Sequence, residues 1–421
     1  MYELAEKLFP ICRSITGDGV RKTLSILKAE CPQLTIHEVP SGTQVFDWIV
    51  PKEWNIRDAY IENSKNERII DFKDNNLHVV GYSLPMDAYL SLDALKEIVY
   101  TQVSQPDAIP YVTSYYKERS GFCMSELQKK ALPEDTYHCV IDSELKDGHL
   151  TYGEIIIRGE TDEEVLLSTY ICHPSMANNE ISGPCVTIQL AKWLLSLSRR
   201  RYTYRIIFIP ETIGSITYLS QHLAEMKKNT VAGFVLSCVG DDRTYSYIAS
   251  RYGNTLTDRL LKNVLSYHYP DYKRYSFLER GSDERQFNAP GIDLPVCSVC
   301  RSKYGEYPEY HTSKDNMELI SASGLDGSLT LMQKCISALE YNRYYKIKCL
   351  CEPQLGKRGL YPTVSQKGSY DNVKNLTNFI AYADGANDLI DISNLINTPI
   401  DTLIPIAENL LNNNLLEIIT K

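Results

Sequence analysis

The sequence contains no uninterrupted apolar stretch long enough to cross a bilayer, which takes about 18 to 20 residues. Its first residues, MYELAEKLFPIC, carry acidic side chains where a secretory signal peptide has basic ones. Positive charge is also in deficit, with 44 Lys and Arg against 53 Asp and Glu and a net charge of −9. Because general affinity for nucleic acids requires clustered positive charge, these deficits predict a cytoplasmic protein that binds neither membranes nor nucleic acids.

Cysteine is sparse, with 12 residues in a chain of 421. In the absence of a signal peptide this predicts reduced thiols, most of them small buried side chains. The pairs Cys297-x-x-Cys300 and Cys349-x-Cys351 resemble metal knuckles, but no structural-zinc spacing joins them, so we expect none. The length exceeds that of one ordinary core, which predicts two or three domains.

Apolar strands alternate with amphipathic helices over much of the chain, a pattern that predicts an α/β fold with a sheet covered on both faces. The stretch 47–148 lacks this alternation and consists of short β-like runs broken by prolines, so we expect an inserted, mostly β subdomain there. The predicted domains are 1–46 with 149–345, the insertion 47–148, and a linker with a winged-helix-like domain over 346–421.

Polar loops follow three of the predicted strands, where open α/β sheets bind their ligands. EEVLLSTYIC runs into His173 and Glu180, YRIIFIP runs into Glu211, and the segment after LPVCSV contains His311. Imidazole and carboxylate groups suit zinc, so two of only eight histidines at strand ends predict a metal site. For Glu211 the alternative is an acid that stabilises a helix N-terminus, and for each histidine an ordinary hydrogen-bonded loop residue.

A metal held by three protein ligands leaves one position for water and lowers the pKa of that water to about 7. A carboxylate that is not a ligand then takes the proton, and Glu211 at the next strand end is the predicted general base. Asp315, four residues after His311, is expected to orient an imidazole.

The stretches CHPSMANNEISG, PETIGS, RGSDERQF and YGEYPEYHTSKDN resemble the zinc aminopeptidase superfamily, which includes bacterial leucyl-type aminopeptidases and glutaminyl cyclases. They are more similar still to aminopeptidase-like proteins encoded in bacterial surface-polysaccharide gene clusters, which carry an inserted β domain and a C-terminal winged helix. The resemblance implies a mixed central sheet flanked by helices. It matches His173 and His311 to metal-binding histidines and Glu211 to the general base.

Three positions depart from the resemblance. Asn179 occupies the place of the bridging aspartate, Thr212 that of a second glutamate, and Ser237 that of an aspartate at a strand end. Two close metal ions require anionic ligands, so these losses predict a single zinc ion. We expect His173, Glu180 and His311 to bind it, with Asn179 as the alternative to Glu180.

The segment RGSDERQF and the approach to His311 supply the predicted substrate-binding residues. Arg285 could bind a substrate carboxylate, and Asp283 could bind a substrate amine or orient a ligand. For both residues a structural ion pair is the open alternative. Arg301 and Tyr310 are further candidates because they lie close in sequence to His311.

The leading hypothesis is therefore a zinc-dependent aminopeptidase-like peptidase or amidohydrolase. Its substrate would be a small peptide or an amino-acid or acyl amide, including one carried by a sugar. A non-catalytic binding protein and a transcriptional regulator are the alternatives. The segment from Asp371 to the end contains seven acidic and two basic residues, which disfavours DNA binding, so we expect this tail to pack on the enzyme or to form an oligomer.

Overall fold

The computed structural model describes residues 1–115, 117–361 and 371–420. The chain divides into two compact units, the first formed by Met1–Gly253 with Lys273–Leu329 and the second by Asn254–Tyr272 with Thr330–Lys421. Residues 362–370, in the predicted linker and winged-helix region, lie outside the described part of the chain.

The strands are β1 (Thr35–Pro40), β2 (Gln44–Val45), β3 (Trp48–Ile49), β4 (Glu53–Glu62), β5 (Arg68–Asp71), β6 (Met86–Ser91), β7 (Val99–Tyr100), β8 (Phe122–Cys123), β9 (Thr136–Lys146), β10 (His149–Ile157), β11 (Glu164–Tyr170), β12 (Thr203–Ile209), β13 (Thr230–Leu236), β14 (Ser246–Ile248), β15 (Lys273–Tyr275), β16 (Val296–Cys300), β17 (Tyr344–Ile347), β18 (Asp384–Asp388) and β19 (Leu416–Ile419).

The helices are α1 (Tyr2–Leu8), α2 (Asp18–Glu30), α3 (Leu92–Ile98), α4 (Glu126–Ala131), α5 (Ser182–Ser196), α6 (Ile213–Asn229), α7 (Leu256–His268), α8 (Glu284–Phe287), α9 (Ala322–Tyr341), α10 (Asp371–Tyr382), α11 (Leu389–Leu395) and α12 (Ile400–Asn412).

An eight-stranded mixed sheet forms the centre of the first unit, in the order β1-β10-β12-β11-β13-β16-β14-β15. Its middle strands β12, β11, β13 and β16 are parallel, so their carboxyl ends meet at one edge. Every residue of β11 and β12 is buried, as expected for parallel strands covered on both faces by helices. The predicted fold class, a mixed central sheet flanked by helices, is confirmed.

A second, four-stranded antiparallel sheet, in the order β5-β4-β9-β6, lies within the predicted insertion. The segment after β7 leaves this region and pairs with the loop that contains His311. The N–H of Tyr111 donates to the carbonyl of His311 at 2.9 Å, and the N–H of Ser313 donates to the carbonyl of Ile109 at 2.9 Å. These bonds place Tyr111 of the inserted region at the edge of the central sheet.

The second unit contains a winged-helix arrangement of α10, α11 and α12 with the antiparallel sheet β18-β17-β19. Helix α7, which the sequence pattern placed in the hydrolase domain, packs on α11 in this unit. The amide of Asn263 donates to Ser393 at 2.8 Å, and the Arg259 guanidinium lies 2.7 Å from a carboxylate oxygen of Asp388. One face of the helix-turn-helix is therefore covered by α7.

Helix α12 stands where a winged helix presents its recognition helix. Its exposed residues carry no positive charge. DNA readers contact phosphates and base edges chiefly with Arg and Lys, so this surface lacks the usual chemistry. The exposed side chains of α12 are Asp401, Thr402, Pro405, Glu408, Asn409 and Asn412.

Two further expectations concern cysteines and membrane spans. All twelve cysteines are free thiols, and Cys297 and Cys300 are buried within β16. Among the described residues, no helix combines the length and apolar character that a membrane crossing needs.

A buried ion pair links the middle strands and provides a test of the sheet. Arg205 on β12 binds both carboxylate oxygens of Glu164 on β11 at 2.8 Å, and both side chains are almost fully buried. We expect Arg205→Met to lower the free energy of unfolding by about 3–5 kcal/mol, because it leaves a buried carboxylate unpaired. Urea unfolding followed by tryptophan fluorescence measures this, since Trp48, Trp54 and Trp193 all lie in the first unit.

The control for this measurement is Arg199→Met, because Arg199 forms an exposed ion pair with Glu160. It should change the free energy of unfolding by less than about 1 kcal/mol. If both substitutions lowered the free energy of unfolding by the same amount, the prediction that the buried pair stabilises the sheet would be contradicted.

Candidate functional site

The candidate site lies at the carboxyl edge of the parallel strands. His173 follows β11, Glu211 follows β12, and His311 lies in the loop after β16. Three residues around this edge have positive φ although none is glycine: Thr212 (64°), Cys238 (53°) and His311 (56°). Such conformations persist only where surrounding structure holds them, and they concentrate at functional sites.

His173 is buried and carries a carboxylate on each side of its imidazole. Nδ1 lies 2.9 Å from Oε2 of Glu180, and Nε2 lies 3.7 Å from Oε2 of Glu211. A carboxylate that accepts from the Nδ1 proton fixes the orientation of the ring, so that in the neutral ring the lone pair is on Nε2. Glu180 thus orients His173, while Nε2 faces Glu211.

Arg13 completes this arrangement, and sequence analysis missed it. Its Nε donates to the carbonyl of His173 at 2.9 Å and lies 3.4 Å from Oε1 of Glu180, with the guanidinium wholly buried. A buried carboxylate requires such a partner. The sequence feature that could have drawn attention to Arg13 is a charged residue in the otherwise uncharged segment ICRSI. By itself this feature suggests a buried ion pair and does not indicate a role at the site.

His311 lies beside His173, with ring centroids 5.5 Å apart. Its ring stacks on Tyr310 at 3.8 Å, and Tyr111 meets it edge-on at 5.1 Å. Burial and the neighbouring His173 lower the pKa of His311 to about 3, so the ring is neutral at physiological pH. Its Nε2 is buried and has no hydrogen-bond partner in the described part of the chain.

The predicted ligands do not form one tight cluster. Within the described ranges, the metal-ligand atoms that all lie within 4.8 Å of one another belong to Cys172, His173 and Glu180, and His311 is outside that group. Glu180 occupies the Nδ1 side of His173 and has Arg13 beside it, which is an unfavourable setting for a cation. This geometry does not support Glu180 as the partner of His311 in binding an ion.

Asn179, the alternative ligand, has a buried amide. Its Nδ2 donates to the Tyr170 hydroxyl at 2.7 Å, whereas Oδ1 is a buried acceptor without a partner among the described residues. Asp315 was predicted to orient an imidazole, but among the described residues its carboxylate binds no histidine. It accepts from the backbone N–H groups of Asn178 (2.6 Å) and Asn179 (3.0 Å), and so fixes the π-helical turn 177–181.

Glu211 is mostly buried, with 22% of its side chain exposed. Burial raises its pKa, although His173 and Arg285 act in the opposite direction. A carboxylate with a raised pKa is suited to accept and return a proton near neutral pH. Its backbone N–H donates to Sγ of Cys172 at 3.2 Å, which ties the end of β12 to the loop after β11.

Asp283 and Arg285 both contact the residue after Glu211. Oδ1 of Asp283 accepts from the N–H of Thr212 at 2.8 Å and from the Ser215 hydroxyl at 2.7 Å, while Arg285 donates to the Thr212 hydroxyl. Burial and the Glu211 carboxylate raise the pKa of Asp283 to about 7. Their role in binding substrate remains a prediction, because these contacts are with the protein itself.

The other two predicted substrate residues differ in position. Tyr310 is at the site, stacked on His311. The Arg301 guanidinium instead lies 3.8 Å over the ring of Tyr245 and 4.0 Å from a carboxylate oxygen of Asp242. The Arg301 guanidinium therefore contacts Tyr245 and Asp242 of the protein itself.

Tyr111 is a second residue that the sequence did not reveal. Its ring centroid lies 5.4 Å from that of His173 and 5.1 Å from that of His311, and its hydroxyl is 3.0 Å from that of Tyr115. It comes from the irregular region 47–148, where no pattern distinguished it from many other tyrosines. The inserted region thus supplies one wall of the site.

A model of the family described as "Domain of unknown function (DUF4910)" matches residues 2–342. The chain belongs to this family. Residues 342–418 match a family described as winged helix-turn-helix, which confirms the predicted C-terminal winged helix.

A relative from Clostridium acetobutylicum, named "Putative polysaccharide biosynthesis protein with aminopeptidase-like domain", is 48% identical over 395 residues, 93% of this chain and 90% of that protein. A crystal structure described as a "putative peptidase" from the same species is 46% identical, covers 99% of this chain and 96% of that one, and has a TM-score of 0.94. The predicted relationship to aminopeptidase-like polysaccharide proteins is confirmed.

A zinc aminopeptidase from Bacillus subtilis is 12% identical, with a TM-score of 0.57 over 80% of this chain and 93% of that one. At this identity the similarity establishes the fold alone. The chain therefore has an aminopeptidase-like fold, and its chemistry follows from the residues present.

The orientation of His173 yields a measurable prediction. Burial lowers the pKa of His173, but Cys172 and Glu180 raise it well above its usual value. Burial also raises the pKa of the Cys172 thiol to about 11, so the substitution that tests the effect of a neighbouring carboxylate on His173 is made at Glu180. We expect Glu180→Gln to lower the pKa of His173, measured by NMR titration of the histidine-labelled chain stripped of metal ions.

Glu160→Gln is the control, because this exposed carboxylate binds Arg199 away from the histidines of the site. A His173 pKa that is the same in both variants would contradict the proposed contact with Glu180.

Proposed function

We propose that the chain is a single-zinc hydrolase of amide bonds in which His173 and His311 bind the metal through Nε2 and Glu211 handles the proton. The observation that carries this proposal is the buried, unpartnered Nε2 of His311. A buried polar atom without a partner is costly, so the fold tolerates it best where a ligand satisfies it. The neutral ring and the adjacent His173 make a cation the ligand of choice.

The residues present fit one zinc ion. Two imidazoles on a tetrahedral zinc, with bonds of about 2 Å, have ring centroids about 5 Å apart, close to the separation of His173 and His311. The unpartnered Oδ1 of Asn179 supports this residue as the third ligand. Glu180 then orients His173 from behind, as carboxylates beside metal-binding histidines commonly do.

A zinc ion there would polarise a substrate carbonyl and lower the pKa of water to about 7. The mostly buried Glu211, 3.7 Å from Nε2 of His173, accepts a proton from the attacking water and returns it to the leaving nitrogen. Tyr111 and Tyr310 cover the histidine pair and limit the access of bulk water. Each of these roles depends on side chains already held in place.

The proposed substrates are small peptides and amino-acid or acyl amides. The name of the Clostridium acetobutylicum relative supports a link to polysaccharide biosynthesis, which makes an amide on a sugar part of this class. Asn179, Thr212 and Ser237 are neutral, so the cleft has fewer carboxylates that could bind a free amine. An activity screen should therefore include substrates with free and with acylated amino groups.

Metal content and activity test the proposal together. We expect one zinc per chain in protein purified without chelators, and loss of zinc in His173→Ala and His311→Ala but not in His149→Ala, a histidine of the edge region of the sheet. Glu211→Gln should retain zinc and lose about 100-fold or more in kcat against aminoacyl and N-acyl amides. Inductively coupled plasma mass spectrometry and a chromogenic amide panel provide the two measurements.

Full zinc occupancy with no hydrolysis in the panel would favour the alternative of a binding protein that retains the fold. A wild-type chain without zinc that nevertheless hydrolyses amides, unaffected by Glu211→Gln, would overturn the proposal.

The ligand assignment has its own test. If Asn179 is the third ligand, Asn179→Asp should tighten zinc binding about tenfold or more, because a carboxylate replaces an amide oxygen. Glu180→Gln should weaken binding by about 10- to 100-fold without abolishing it, as expected for an orienting carboxylate. Competition with a zinc chelator gives both affinities, and abolition by Glu180→Gln with no effect of Asn179→Asp would restore Glu180 as the ligand.

A further inference from the structure

The residue after Glu211 has an unfavourable backbone conformation. Thr212 has φ 64° and ψ −76°, and the N–H of Ile213 donates to the carbonyl of Glu211 at 2.8 Å. These values define a γ-turn with positive φ, the rarer and more strained of the two γ-turn forms. A β-branched residue resists positive φ strongly, so this turn is not a local preference of the sequence.

The turn is held from outside by Asp283, which precedes α8, and by Arg285, which lies in its first turn. The Asp283 carboxylate is wholly buried and accepts from the N–H of Thr212 at 2.8 Å, and the same oxygen accepts from the Ser215 hydroxyl at 2.7 Å. Arg285 donates to the Thr212 hydroxyl. Both polar groups of Thr212 that face this segment are therefore engaged.

The position of the turn determines where Glu211 points. It lies between the end of β12 at Ile209 and the start of α6 at Ile213, both buried. The backbone N–H of Glu211 is also bound to Cys172. Because both flanking segments are fixed, a change of φ at Thr212 requires compensating backbone rotation at Glu211, and this rotation would redirect the Glu211 side chain. In the observed turn this side chain lies 3.7 Å from Nε2 of His173.

We propose that Thr212, Asp283 and Arg285 are positioning residues that hold a strained γ-turn and thereby aim the Glu211 carboxylate at His173. The inference rests on the proposed role of Glu211 and deepens it. It gives Asp283 and Arg285 a role in positioning the backbone, while their predicted binding of substrate stays a separate prediction. The strain stays in the turn because bonds from another segment offset it.

Thr212→Val and Thr212→Ser form a matched pair, since valine keeps the branched shape and loses the hydroxyl, while serine keeps the hydroxyl. We expect Thr212→Val to lower kcat by about tenfold or more with KM within about threefold, and Thr212→Ser to retain most of the activity. Equal activities of the two variants would overturn the role of the Arg285 contact.

Asp283→Asn and Asp283→Ala separate an acceptor from a charge. Asparagine keeps an oxygen that accepts from Thr212 and Ser215, whereas alanine removes it. We expect Asp283→Ala to lose about 100-fold in kcat and Asp283→Asn to keep at least about tenfold more activity than Asp283→Ala. Equal losses would show that the charge of Asp283 is what matters, and would overturn the positioning role.

A crystal structure of Asp283→Ala provides a readout that does not depend on activity. We expect φ of Thr212 to become negative and the Glu211 carboxylate to move away from His173. An unchanged turn would overturn the inference even if the wild-type enzyme is active. A relaxed turn in a chain that hydrolyses nothing would leave the positioning intact and would count against the proposed hydrolase instead.

Discussion

The site depends on a buried chain of contacts that runs from Arg13 through Glu180 to Nδ1 of His173. A carboxylate without a counter-charge would not be stable at this depth, and the Arg13 guanidinium supplies that charge while also binding the carbonyl of His173. The imidazole is thereby fixed in position and in tautomer. Its Nε2 faces Glu211, and every chemical role proposed for the cleft follows from that one orientation.

Much of this could be predicted from the sequence. Strand-end loops are local features, so position and residue type indicated His173, Glu211 and His311 as candidates, and all three lie after strands of the central sheet. The alternation of strands and helices indicated the sheet itself. The roles of Glu180, Asp283 and Arg285 could not be found in this way. A carboxylate is equally suited to a metal ion, a substrate amine or a backbone N–H, and a guanidinium is equally suited to a substrate carboxylate or a protein hydroxyl. Only tertiary contacts decide which partner it meets. Arg13 and Tyr111 had no pattern that distinguished them.

Asn179, Thr212 and Ser237 put neutral side chains where the resemblance to zinc aminopeptidases implies carboxylates. Thr212 uses its N–H and hydroxyl to bind Asp283 and Arg285, and Asn179 binds Tyr170 through its amide. The neutral side chains at these two positions therefore have structural partners. Because the cleft has less negative charge than a two-metal site requires, its composition supports the proposal of a single divalent ion with Glu211 as the proton-transferring carboxylate.

His311 shows the same principle as Thr212 on the opposite side of the cleft. It has a positive φ of 56°, and its carbonyl accepts from the N–H of Tyr111 in the inserted region at 2.9 Å. The bridge between Pro110 and Thr312 extends this pairing. A backbone conformation that the loop would not adopt by itself is thus held by a segment that also places the Tyr111 ring over both histidines. The insertion therefore contributes to the geometry of the site as well as to its wall, and its loss would affect both at once.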